Sequence, residues 1–169
     1  MIFFISLKTS VRFLTRIPFP GSHSLKANEY VWSLAWYPVV GATIGLIFGA
    51  SATGLNAFLP SELSITLALV VLSLLTGALH EDGLADTCDA IGGGWTREKR
   101  LEIMKDSRIG AYGAIGLILL YMCRFSSIAA LPPSKWLIYS VCAHCIARWP
   151  ILFLLKLLQP AVPSSGLAQ

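Results

Sequence analysis

Four stretches of the chain stay apolar long enough to cross the roughly 30 Å hydrocarbon layer of a bilayer, which takes about 20 helical residues. They are residues 35–59, 63–79, 110–131 and 136–158. The first two carry no charged residue and are separated only by Pro60, Ser61 and Glu62, so the pattern predicts a tight helical hairpin. Basic residues gather elsewhere: Lys8, Arg12, Arg16 and Lys26 precede the first stretch, and Arg97, Lys99, Arg100, Lys105 and Arg108 lie between the second and third. Because cytoplasmic loops carry the excess of Lys and Arg, the N-terminus and residues 81–108 are expected together in the cytoplasm. Lys156 agrees, and Lys135, in the short turn expected outside, runs against it. Residues 1–13 are apolar but interrupted by Lys8 and Arg12, which predicts an amphipathic helix at the cytoplasmic interface, ended by Pro18 and Pro20. The expected fold is all-α: a polytopic transmembrane helical bundle in one membrane domain over 1–169, with an N-terminal interfacial helix and a cytoplasmic acidic helix.

Composition narrows the class further. Of the 169 residues, 55% are hydrophobic and 13% charged, and the mean hydropathy is +0.68, whereas soluble domains carry about 25% charge. The net charge of +4 is modest, and no stretch interleaves basic residues with aromatics as a nucleic-acid groove would. Nucleic acid is therefore not an expected partner, and membrane lipid is. Of the four cysteines only Cys142 and Cys145 form a C-x-x-C, and with no second such pair they read as small apolar packing residues. Gly41, Gly45 and Gly49 stack on one helix face and allow close helix approach. The partner on that face is either the chain's own helices or a second copy, which makes a homodimer an open expectation. The Pro- and Ser-rich end after residue 159 reads as a loop leading onward, so a further C-terminal portion is expected.

The chemistry concentrates between residues 80 and 108. The run H-E-D-G-L-A-D-T-C-D-A-I-G-G-G places Asp82, Asp86 and Asp89 at i, i+4 and i+7, which on a helix puts three carboxylates on one face. Such a stripe next to an apolar span repels itself unless a cation compensates it. Hard oxygen ligands of this kind suit Mg²⁺ or Mn²⁺ shared with substrate phosphates. A merely solvated helix end would scatter its acids. Gly92, Gly93 and Gly94 end the helix, and Thr96 caps a short one after it.

Lys105, Asp106, Ser107 and Arg108 sit where the chain re-enters the membrane at Gly110. Asp106 can supply a fourth metal ligand while Lys105 and Arg108 neutralise phosphate oxygens. Within the spans, Arg124 and Arg148 are expected to face the bundle interior and pair with an acid or a phosphate. Arg148, together with Glu81, is a candidate for binding substrate. His144, one turn before Arg148, reads as a hydrogen-bonded core residue.

These motifs carry a resemblance. H-E-D-G-L-A-D-T-C-D-A-I-G-G-G, M-K-D-S-R-I-G-A-Y-G and the N-terminal F-L-T-R-I-P-F-P resemble the cobalamin synthase (adenosylcobinamide-GDP ribazoletransferase) family over essentially the whole chain. Ala90 and the Ala111-Tyr112 pair depart from the family's commoner residues, and family members run on through more helices. The resemblance implies a multi-pass enzyme of the bacterial inner membrane. It would move the adenosylcobinamide phosphoryl group from adenosylcobinamide-GDP to α-ribazole or its 5′-phosphate, releasing GMP. Joined to the reading of the residues, this gives the expectation that Mg²⁺ lies between Asp82, Asp86, Asp89 and Asp106 and the donor's pyrophosphate, that Lys105 and Arg108 hold phosphate oxygens, and that Asp89 is the candidate acceptor of the nucleophile's proton. The Asp spacing is similar in logic to that of the CDP-alcohol phosphatidyltransferases, the nearest rival, whose usual residues after Asp-Gly differ from Leu84 and Ala85. A transporter is the more distant rival, and no internal repeat supports it.

Overall fold

The structure, a computed structural model, describes residues 2–18 and 32–158. Among these there is no strand. The helices are α1 (Ile2–Leu14), α2 (Tyr37–Leu55), α3 (Ser61–Thr76), α4 (Leu79–Gly93), α5 (Arg97–Ile103), α6 (Ala111–Ala129), α7 (Pro133–Ile146) and α8 (Trp149–Leu157).

Three stretches are long and apolar enough to cross a membrane: Trp32–Leu55, Ala111–Ala129 and Pro133–Leu154. They correspond to the first, third and fourth predicted spans. The second differs. Residues 63–79 were expected as one span, but α3 stops at Thr76, and Ser61–Thr76 passes the same test only together with Leu79–Gly93, to which it is bent by 90°. The cause is local, because Gly77 (φ 64°) and Ala78 (φ 56°) both adopt the left-handed conformation. Two such residues in succession end one helix and redirect the next. The acidic helix therefore turns across the end of α3 instead of extending it.

α2 and α7 form the tightest pair. A Cβ at Gly41 would overlap the His144 carbonyl, one at Gly45 the Ser140 carbonyl, and one at Gly49 would lie 2.8 Å from the Leu137 Cα. The glycine stripe is thus filled by the chain's own α7, the intrachain one of the two partners expected for that face. Around this pair Tyr37, Ile44, Phe48, Ile65, Leu72 and Trp136 form the core, and the Trp136 indole donates to the Leu131 carbonyl at 3.0 Å. Gly45→Ala is expected to cost about 1–3 kcal/mol by overpacking, read as a lower melting temperature in detergent. An unchanged melt would mean that the α2–α7 contact is looser than described.

α1 ends at Leu14, ahead of Pro18, because the following segment docks on the bundle: the Arg16 amide donates to the Leu75 carbonyl at 2.7 Å. Pro20 lies outside the described residues. The helix buries Ser6, Ser10 and Leu14 and exposes Phe3 and Phe4, with the Ser10 hydroxyl bonded to the Ser33 carbonyl at 2.5 Å. The Arg16–Leu75 contact brings the N-terminal segment and α4 to the same end of the bundle. α6 buries only Gly113 and exposes Ile115, Ile118, Leu119 and Met122. The four cysteines are free, and Cys142 is exposed on the outer face of α7.

Candidate functional site

α4 forms as its spacing predicts and packs along the first half of α6. What lets it in is a second glycine series, Gly110, Gly113 and Gly116. A Cβ at Gly110 or Gly113 would overlap the Asp89 carboxylate, and one at Gly116 would lie 2.7 Å from the Cys88 sulfur. This three-residue repeat is visible in the sequence, but nothing local distinguishes it from the chain's simple re-entry into the membrane at Gly110.

Asp89 is the residue that fixes the join. Its Oδ2 accepts from the Gly110 amide at 2.7 Å and its Oδ1 from the Gly113 amide at 2.8 Å. A helix N-terminus leaves such amides without partners and carries partial positive charge. Asp89 thus caps α6 from a neighbouring helix, and both of its oxygens are engaged.

One turn earlier the arrangement opens into a cavity of about 400 Å³ between α4, the 104–109 segment and α6. Glu81, Asp82 and Asp86 line it from one side, Lys105, Asp106 and Arg108 from the other. The structure therefore brings together six of the eight site residues expected from sequence. Asp89 is turned to α6, and Arg148 lies in a different cavity.

The cavity's members differ in how free they are. Asp106 is clamped by Arg108, whose backbone amide donates at 3.0 Å and whose guanidinium donates to both carboxylate oxygens at 2.6 to 3.2 Å. Those side-chain hydrogen bonds, and then the amide, hold the Asp106 carboxyl down at about 2. Glu81 is buried and accepts from the Arg124 guanidinium, so two residues that the sequence offered separately are partners. The signal available for that was only the presence of two bases, Arg124 and Arg148, within spans, with nothing to say which acid either would meet. Asp82 is exposed, and Asp86 is half-buried. Partial burial, and next the charges of Asp82 and Asp89, push the Asp86 carboxyl up. The ring of Lys105, Arg108 and these two open carboxylates can receive a phosphate-bearing group together with a cation.

Whether the donor set suits Mg²⁺ follows from the same geometry. Among the described residues no group of three or more His, Cys, Asp or Glu side chains converges as a metal cage. Mg²⁺ seldom uses such a cage: it takes one or two carboxylates and completes its shell with water and substrate phosphate. Asp82 and Asp86, one turn apart and facing the cavity, fit that mode.

Fold and site together define a multi-pass helical membrane protein with an acid- and base-lined cavity at one end of its bundle. Residues 6–169 match the family described as cobalamin-5-phosphate synthase. The chain belongs to that family. Among curated relatives, the adenosylcobinamide-GDP ribazoletransferase of Bradyrhizobium diazoefficiens is 43% identical over 93% of this chain and 61% of that protein. Proteins of the same name from Azorhizobium caulinodans and Leptospira interrogans are 41% and 40% identical, over 90% and 86% of this chain and 60% and 56% of their own lengths. The chain thus spans about three-fifths of the length of these relatives. No solved structure matches it.

Proposed function

We propose that this protein acts as an adenosylcobinamide-GDP ribazoletransferase, carrying the phosphate-handling part of the enzyme in the segment from Glu81 to Arg108. Its donor is adenosylcobinamide-GDP and its acceptor α-ribazole or α-ribazole 5′-phosphate. The observation that carries the reading is the cavity in which Asp82 and Asp86 face Lys105 and Arg108. Family membership supports the choice of substrates, since the relatives bear that name.

In the reaction, the acceptor hydroxyl oxygen bonds to the phosphorus next to the cobinamide. The bond from that phosphorus to the bridging oxygen breaks, GMP leaves with the oxygen, and the hydroxyl proton is released. Lys105 presents a compact ammonium and Arg108 a planar fork to the phosphate oxygens. Asp106 aims that fork by gripping the Nε and one terminal nitrogen, and leaves the other terminal nitrogen free of it. Asp82 and Asp86 would hold Mg²⁺, which when bound neutralises charge building on the departing phosphate. Glu81, fixed by Arg124, forms the inner wall. The basic residues flanking α4 support placing this end in the cytoplasm of a bacterial cell, with the spans in the inner membrane, and the exposed apolar faces of α6 and α7 support direct contact with lipid.

Protein reconstituted in lipid and given adenosylcobinamide-GDP with α-ribazole 5′-phosphate is expected to release GMP and form corrinoid product. Chelation of divalent cations should stop the release, and added Mg²⁺ should restore it. Release of CMP from a CDP-alcohol pair in place of GMP would overturn the reading.

A further inference from the structure

A second cavity, of about 310 Å³, lies between α3, α6 and α7. Its wall carries two guanidiniums, Arg124 and Arg148, with His144 and Ser140 among leucine side chains. The charge of Arg124 is met by Glu81. Arg148 is 8% exposed, and its Nε finds no hydrogen-bond partner among the described residues; the hydroxyl of Ser140, 1% exposed, finds none either.

Two guanidiniums facing one carboxylate leave one positive charge without a direct partner, which is costly when buried, and such groups are retained within a membrane span where something anionic meets them. An arginine near a span end can ordinarily reach the aqueous boundary by extending its stem. Here the stem is turned inward against α2: a Cβ at Gly41 would stand 3.3 Å from the Arg148 Cδ, so the glycine leaves room for it. The site is therefore built mainly from three elements, with two guanidiniums sharing the field of one carboxylate, Glu81, which is already bonded to Arg124.

We propose that this cavity binds a phosphate oxyanion carried on an apolar stem, gripped by the Arg148 fork with Ser140 and Arg124 beside it. A tetrahedral phosphate offers acceptors toward α6 and α7 at once, where a carboxylate offers two in one plane. Leu69, Leu72 and Leu120 supply the apolar lining for the stem. Two sources share this chemistry, the headgroup of an anionic lipid and a soluble phosphate monoester. The inference stands on the cavity alone and does not require the transferase reading.

The test is thermal unfolding of the purified full chain in neutral detergent with a chelator present, which silences the carboxylate site. The arms are phosphatidylglycerol against phosphatidylcholine, and inorganic phosphate against chloride. A rise of at least about 3 °C is expected with phosphatidylglycerol or with phosphate. It should vanish in Arg148→Leu, persist in Asp82→Asn, and be partly restored by Arg148→Lys. If Arg148→Leu does not fold, Arg148→Lys and Ser140→Ala are expected to weaken the response without abolishing it. A response to phosphatidylglycerol alone assigns the site to lipid, and one to phosphate assigns it to the soluble ester. No rise in the wild type with either, or an equal rise in the Arg148 and Ser140 variants, overturns the proposal. Neither nucleotide nor corrinoid is present, so failure here leaves the GMP-release test standing, and the reverse holds as well.

Discussion

Asp86→Asn protein, inserted in membranes at the wild-type level, is expected to release GMP from adenosylcobinamide-GDP at least about 100-fold more slowly, the scale on which loss of one preorganised charge-stabilising group acts. Asp86 faces the cavity, and among the described residues no hydrogen bond depends on its charge, so the loss should fall on turnover and leave the melting temperature almost unchanged. Asp89→Asn, three residues on, should behave in the opposite way. The amide keeps an acceptor oxygen for one of the two α6 amides and turns an NH2 donor toward the other. The variant should therefore melt about 1–2 kcal/mol less stably, as lost helix caps do, with a smaller drop in rate. Measuring both quantities on both variants separates the two roles. If Asp86→Asn turns over normally, the carboxylate pair has been assigned to the wrong residues.

A second large effect is expected from Glu81→Gln. The Arg124 guanidinium would remain in a largely apolar setting without its acid, and breaking a buried pair from one side costs about 3–5 kcal/mol, or roughly 6–20 °C of melting temperature for a chain of this size. Arg124→Gln should cost a similar amount. The double variant should lose much less than the two singles added together, because the desolvation penalty goes with the charges. Additive losses would show that the two residues are not coupled. Activity adds a further distinction, since Glu81 also lines the carboxylate cavity. A double variant that is stable but slow would give Glu81 a part in the reaction beyond holding Arg124.

Much of the site was legible because it is local. Asp82, Asp86 and Asp89 share one helix, and a spacing of four and three residues fixes their common face whatever surrounds them. Lys105, Asp106 and Arg108 are adjacent in sequence, and Thr96 caps α5 through the Lys99 amide at 3.2 Å as its position suggests. Three of the four apolar spans were likewise determined by composition, since lipid imposes their length. His144 is half-buried and bonded through Nδ1 to the Ser140 carbonyl at 2.9 Å, an ordinary core arrangement one turn apart.

The rest depended on contacts between residues far apart in sequence. The sequence determined that α4 would be an acidic helix; only tertiary structure decided that Asp89 would spend its two oxygens on the amides of Gly110 and Gly113, because that contact exists only once glycines let α4 lie against α6. The same holds for Glu81 and Arg124, which are 43 residues apart, and for the glycine stripe of α2, whose partner could have been a second chain until α7 filled it. The turn at Gly77 and Ala78 was hidden for a different reason. Alanine in a left-handed conformation is held there by what packs around it, and no local propensity announces it.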